Sequence, residues 1–168
     1  MSSKPRFVIN KRGVLEKCYG PEGEIVIPEK VKVIGERAFE KRGAVVRMTI
    51  PKGVTRIEEG AFSGCWALES VDIPEGVTEI GAGAFEYCQA LTSVAIPNGV
   101  TQIGYDAFAG CLGLSSITIP ASVTKIGEHV FGEDFINHRF CENVTIHAPA
   151  GSCAERYARE NDIKFQPL

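Results

Sequence analysis

Residues 84–97 read AFEYCQALTSVAIP. The same frame stands one step earlier as AFSGCWALESVDIP at 61–74 and one step later as AFAGCLGLSSITIP at 107–120. Cys65, Cys88 and Cys111 are therefore 23 residues apart, and the beat extends well beyond them. Ile-Pro begins at 27, 50, 73, 96 and 119, and phenylalanine recurs at 39, 62, 85, 108 and 131. Valines 31, 54, 77, 100 and 123 and isoleucines 34, 57, 80, 103 and 126 keep the same period. A further cluster holds Leu68, Leu91 and Leu114, then Val71, Val94 and Ile117. Repetition at one fixed period over five copies is the signature of a repeat architecture.

The unit is L-x-x-V/I-x-I-P-x-x-V-T-x-I-G-x-x-A-F-x-x-C. Leu91 to Ile96 favours a strand, with Val94 and Ile96 alternating against small or polar neighbours. Proline then ends the strand, because it lacks the N–H for the next ladder bond. Glu75-Gly76 and Asn98-Gly99 supply turns. Val100 to Gly104 reads as a second short extended segment, and Ala107-Phe108 opens a tight turn, one turn of helix or 3₁₀. A single 23-residue coil has nothing to bury its apolar face against. Stacked copies do, at the ~4.8 Å strand spacing, with a phenylalanine spine through the core.

The repeat resembles the BspA-like leucine-rich repeats, through IPEGVTEIGAGAFEYC at 73–88 and IPNGVTQIGYDAFAGC at 96–111. The likeness extends to FVINKRGVLEKCYGPEGEIVIP at 7–28 and VTIHAPAGSCAERYARENDIKF at 144–165. The expected fold is a leucine-rich-repeat solenoid: short parallel β-strands stacked in a curved right-handed superhelix, with an N-terminal hairpin cap and a short C-terminal helix cap. The whole chain, 1–168, reads as one domain. Its parts are a cap over 1–26, five repeats over 27–136 with an insertion in the last, and a closing segment over 137–168. The resemblance also implies contacts with proteins or host surfaces, and no catalysis.

The ends carry their own signals. Phe7–Ile9 and Val14-Leu15 flank Asn10-Lys-Arg-Gly13, a hairpin pattern that covers coil one. Ser152 and Glu155 form an S-x-x-E capping box, predicting a helix over about 153–160 with Ala154, Tyr157 and Ala158 on one face. Ile163 and Phe165 return as a last strand or tail. Both ends therefore read as finished, as in a complete small domain.

Two positions depart from the beat. In the cysteine column the first copy has Arg42, and since an unpaired arginine is almost never buried, its loop is expected to turn outward. After Phe131 the spacing grows: six residues separate Phe108 from Leu114, but ten separate Phe131 from Cys141. A bulge at 132–140 is expected there, as a contact loop or a tolerated surface insertion.

Most chemistry lacks a signature. Metal sites favour cysteine pairs at two- to four-residue gaps, and the chain has none. Stacked side chains run parallel rather than toward one another, so the cysteine column points to packing ahead of disulfides or metal. His138, Cys141, His147 and Cys153 form the one mixed cluster, with irregular gaps. No dinucleotide, phosphate-loop, serine-hydrolase or zinc-protease motif occurs. The chain therefore reads as no enzyme, with no cofactor. Residues 1–50 carry 11 Lys/Arg against 6 Asp/Glu, and residues 51–168 carry 7 against 15, so +5 and −8 make up the net −3. Glutamates interrupt the basic part and no aromatics interleave it, which argues against nucleic acid. No apolar run approaches the ~18 residues of a membrane span.

The outward positions of the first strand of each coil build three columns: Glu24/Arg47/Ser70/Ser93/Ser116, Val26/Thr49/Asp72/Ala95/Thr118 and Val46/Glu69/Thr92/Ser115. The candidate binding face is Ser70, Asp72, Thr92, Ser93, Ser115, Ser116 and Thr118, though hydroxyl ladders also serve cross-strand pairing alone. The expected function is protein or glycan binding by a monomer, at a cell surface or secreted by resemblance. The alternative is a cytoplasmic scaffold with no tight ligand. MSSKPRFVINKRG lacks a secretory apolar segment and six cysteines suit a reducing compartment, which favours that alternative.

Overall fold

The computed structural model describes residues 4–132 and 141–168, so the insertion at 133–140 and His138 lie outside the described residues. In chain order the elements are β1 (Arg6–Ile9), β2 (Val14–Tyr19), β3 (Gly23–Val26), β4 (Val33–Ile34), β5 (Val45–Thr49), β6 (Arg56–Ile57) and β7 (Ser70–Asp72). They continue with β8 (Glu79–Ile80), β9 (Ser93–Ala95), β10 (Gln102–Ile103), β11 (Ser116–Thr118), β12 (Lys125–Ile126), β13 (Thr145–Ala148), α1 (Cys153–Glu160) and β14 (Lys164–Pro167). The chain is a parallel β-solenoid. One side carries the two-residue strands behind the cap hairpin, in the order β1-β2-β4-β6-β8-β10-β12. The other carries the longer strands in two sheets, β3-β5-β7 and β9-β11-β13-β14.

Register follows the 23-residue beat. Val94 on β9 sits opposite Ile117 on β11, and Ile80 opposite Ile103. Like residues therefore stack, and the Leu, Val and Ile columns are buried, with Ile126 in the last coil partly so. The rings of Phe39, Phe62, Phe85, Phe108 and Phe131 stack with centroids 5.3, 5.1, 5.3 and 6.2 Å apart. Tyr157 of α1 ends the spine edge-on at 6.3 Å, and its hydroxyl accepts the Val130 N–H at 3.0 Å. Such aromatic pairs contribute about 0.5–1.5 kcal/mol each beyond their burial.

The Ala-Phe corner is a run of turns rather than a helix. The N–H groups of Ala84, Glu86 and Cys88 bond three residues back, to Gly81, Gly83 and Phe85. Those of Gly83, Phe85 and Tyr87 reach instead to Tyr105, Ala107 and Ala109 of the next coil, at 2.8–2.9 Å. Left-handed backbone at Gly83 and Tyr87 (φ 57° and 58°) breaks helical continuity and frees every second N–H for its neighbour coil.

This corner explains the cysteines. The Phe85 carbonyl accepts the Cys88 N–H within its own turn and the Cys111 thiol from the next coil, both at 3.1 Å. Cys65, Cys88 and Cys141 donate in the same way to Phe39, Phe62 and Phe108. All four thiols are buried, and no disulfide joins any of the six cysteines. Burial pushes the Cys65 thiol up to about 12, and those of Cys88 and Cys111 well above their ordinary value. The column is packing, with a weak donor at each rung.

Arg42 does not turn outward. Its side chain, 13% exposed, lies back across the cap. It donates to the carbonyls of Cys18 (3.3 Å), Gly20 (2.8 Å) and Pro21 (3.1 Å). Its Nε faces Glu22 at 3.5 Å, an ion-pair distance without hydrogen-bond alignment. The first copy of the cysteine column has no earlier coil to donate to, and a longer donor takes over that role.

The caps form where expected. Asn10 accepts the N–H groups of Arg12 and Val14 through its side chain, which closes the antiparallel β1–β2 hairpin. β2 also pairs in parallel with β4, so the ladder continues unbroken into the cap. In α1 the Ser152 hydroxyl accepts the Glu155 N–H at 3.2 Å. The returning carboxylate takes the Gly151 N–H, because that of Ser152 is bonded to Pro149. Ala154, Tyr157 and Ala158 are buried, and β14 joins β13 as the last strand.

Candidate binding groove on the strand face

Strand alternation decides which hydroxyls meet water. In β7, β9 and β11 the central Val71, Val94 and Ile117 point inward and are buried. Ser70, Asp72, Ser93 and Ala95 therefore face out, while Ser116 and Thr118 are half-buried. Arg47, Ser70, Ser93 and Ser116 stand in register, as do Thr49, Asp72, Ala95 and Thr118 within each sheet.

The two sides of the solenoid use their hydroxyls differently. On the short-strand side, Thr55, Thr78, Thr101 and Thr124 each donate to the carbonyl one coil back, at 3.2–3.5 Å. Those hydroxyls are consumed by the fold. On the strand face only Ser115 does this, to the Thr92 carbonyl at 3.2 Å. Ser70, Asp72, Ser93, Ser116 and Thr118 have no side-chain hydrogen bond among the described residues.

A groove of about 600 Å³ opens on this face. Of the predicted residues, Ser70, Asp72, Ser93 and Thr118 line it, whereas Thr92, Ser115 and Ser116 do not. Its remaining wall includes Glu75, Asn98, Pro97, Pro120, Pro149 and Leu168. Pro97 and Pro120 are legible in the sequence only as strand terminators, and their common stacking position was the available signal, whereas Pro149 lies off the beat.

Under the groove the sheet is interrupted. Ala90 N–H reaches the Trp66 carbonyl at 3.0 Å and, past the strands, Thr101 N–H reaches Thr78 at 2.9 Å. Between those points β7 and β9 lie side by side in separate sheets, with no ladder pairing them.

On the opposite edge, Glu59, Glu86 and Asp106 line a narrow polar cleft with Arg37. Burial raises the Glu86 carboxyl above its usual value, and Asp106 raises it further. Arg37 is paired with Glu36 and Glu59. Among the described residues no group of three or more His, Cys, Asp and Glu side chains is placed to hold a metal. Cys141 is tied to the Phe108 carbonyl, His147 lies on β13 and Cys153 opens α1. No helix among the described residues is long and apolar enough to cross a membrane.

Stacked parallel coils with a buried Leu/Val/Ile/Phe spine define a leucine-rich-repeat solenoid. The BspA type leucine rich repeat region matches residues 16–137 in 6 copies, and the chain belongs to that family. Solved structures agree. A leucine rich repeat protein of T. pallidum is 26% identical with TM-score 0.76, over 84% of this chain and 67% of that one. A leucine rich cell surface protein of Faecalibacterium prausnitzii is 33% identical with TM-score 0.76, over 90% of this chain and 39% of that one. The pneumococcal vaccine antigen PcpA shares the fold at 17% identity and TM-score 0.70, over 96% of this chain and 46% of that one. The chain spans less than half the length of the last two proteins. No curated protein sequence matches it.

Proposed function

We propose that the chain is a non-enzymatic binding module that recognises a protein or glycan through its strand face, as part of a cell-surface or secreted protein. One observation carries this reading: hydroxyls of the short-strand side are tied to carbonyls, while Ser70, Ser93, Ser116 and Thr118 are left free beside a groove. A face kept only for cross-strand pairing has no reason to differ from its opposite. The F. prausnitzii relative, a cell surface protein, supports the location.

Six cysteines without a disulfide favour an intracellular scaffold as the second reading. They weigh little, because five of them are buried in the core, out of reach of an oxidant in either compartment.

The test is a pull-down and glycan-array screen of the wild type beside Ser93→Arg/Ser116→Arg. Both substitutions point off the sheet, so folding is retained and partner capture is lost. Capture that survives in the double variant removes the strand face as the platform.

A further inference from the structure

Stacking turns sequence position into position along the solenoid axis, so the surplus of Lys and Arg in residues 1–50 gathers on the cap and the first coil. In the cap hairpin Arg6 stands opposite Tyr19 and Val8 opposite Lys17, while Phe7 and Cys18 between them face the core. Arg6 and Lys17 are therefore on the outer face, and Lys17 donates to the Arg37 carbonyl at 3.0 Å, which leaves its charge uncompensated. Lys11 and Arg12 are exposed at the hairpin turn. The next coil adds Lys30 and Lys32 where its successor carries Gly53 and Thr55. The stem of Lys32 lies beside Gly13, and its ammonium extends over Gly53, 2.8 Å from where a Cβ would stand. These six cations follow one another from the face of the hairpin, round its turn and onto the edge of the next coils. None has an ion pair among the described residues. Two carboxylates lie along the path: Glu29, and Glu16, whose Oε1 accepts the Asn10 amide at 3.0 Å. Glu22, Glu24 and Glu36 are tied to Arg42, Arg47 and Arg37. Lys52, in register between Glu29 and Glu75, marks where the path ends.

We propose that this path binds a linear acidic polysaccharide, with sulfate or carboxylate groups on Lys11, Arg12, Lys30 and Lys32. The strand face takes no part in it. Sign selects an anion: six cations face two carboxylates, one of them already held by an amide. Length selects a polymer. From Arg6 to the turn is about 13 Å at ~3.3 Å per residue, and the two coil steps beyond add about 10 Å at ~4.8 Å each, more than one small anion spans. Shape selects a flexible one, because the path bends from a face over a turn to an edge, and a flat bilayer meets only part of it. Nucleic acid is disfavoured by the aromatics: Tyr19 is the one outward ring on the path, and the Arg6 guanidinium covers it at 5.0 Å from the centroid, so no row of stacking faces is offered.

The test uses ¹⁵N-labelled protein and a size-defined heparin oligosaccharide as the probe, beside neutral dextran of the same length, single-stranded DNA, poly-glutamate and phosphatidylserine vesicles. The heparin probe should shift the amides of Lys11, Gly13, Lys32 and Gly53 and leave those of Ser93 and Ala95 in place, and dextran should shift none. Binding should weaken steeply with salt. Lys11→Gln/Arg12→Gln and Lys30→Gln/Lys32→Gln should each weaken it about ten-fold, as for two exposed ion pairs, and flatten its salt dependence. Lys125→Gln/Lys164→Gln removes the same charge from exposed positions at the far end and should leave binding unchanged. The proposal is overturned if the cap amides do not shift, if the far-end variant loses as much as the cap variants, or if either cap variant binds like the wild type. DNA, poly-glutamate or vesicles binding more tightly than the heparin probe would assign the path to that partner and overturn it as well.

Discussion

Replacing Arg42 by alanine should loosen one end of the solenoid and leave the rest intact. The guanidinium donates to three cap carbonyls and faces Glu22. At 13% exposure it is little screened by water, but the Gly20 carbonyl lies at the surface and regains solvent when the bond is lost. Hydrogen bonds to charged groups contribute ~1.5–3 kcal/mol each when buried, so with that discount the loss is roughly 2–4 kcal/mol. Coils in a solenoid are coupled mainly to their neighbours, so the loss should appear as local opening of the cap. Hydrogen exchange should accelerate about 30- to 900-fold at the amides of Cys18, Gly23 and Ile27, which bond forward to Ala38, Ala44 and Thr49. Amides of β9 and β11 should not change. Arg42→Lys, with one compact donor group, should fall between. The reasoning fails if cap exchange is unchanged in Arg42→Ala, or if all coils accelerate together.

Other perturbations separate the terms that hold the stack. Phe85→Ala, in mid-spine, should cost about 3–5 kcal/mol in denaturant unfolding; less than ~1 kcal/mol would deny the spine its role. Tyr157→Phe keeps the ring but strands the buried Val130 N–H, so a loss of about 1–3 kcal/mol is expected, with exchange rising first in the last coil. Native thiol labelling should reach Cys153 first, while Cys65, Cys88 and Cys111 label only after denaturation without reductant; finding those three oxidised in pairs would refute the packing role. Glu86 has a raised folded-state pKa, so its charge opposes folding at neutral pH. Stability should rise as pH falls through that pKa toward the ordinary carboxylate value, and Glu86→Gln should be more stable at neutral pH and lack that contribution. An unchanged pH profile in the variant contradicts the assignment.

Much of this fold is visible in the sequence because a stacked column needs the same residue type at every step. The Ile-Pro, Phe and Cys columns, the Asn10 hairpin and the Ser152 cap each follow from local chemistry. Arg42 departs from the expected outward turn for a physical reason: burial statistics disfavour an unpaired arginine, but its partners are backbone carbonyls some 22 residues away that no side-chain pattern reveals. Tyr157 takes the place of a sixth phenylalanine, but the insertion shifts its spacing from Phe131 to 26 residues and hides it from the beat. The seam between β7 and β9 left no trace, since Ser70-Val-Asp and Ser93-Val-Ala follow the same alternation as paired strands. Outward hydroxyls could be read as a face. Which of them stay free depends on backbone positions one coil away.

Carboxyl labelling with mass spectrometry tests the binding face most directly, because carboxylates mark every side of the solenoid. Asp72 and Glu75 report the groove, Glu79 the short-strand side, and Glu59 and Glu86 the turn edge. With a partner from the capture screen bound, labelling of Asp72 and Glu75 should fall while Glu79, Glu59 and Glu86 label as in the free protein. Protection at Glu79 or at the turn edge, with Asp72 and Glu75 still open, would contradict the account.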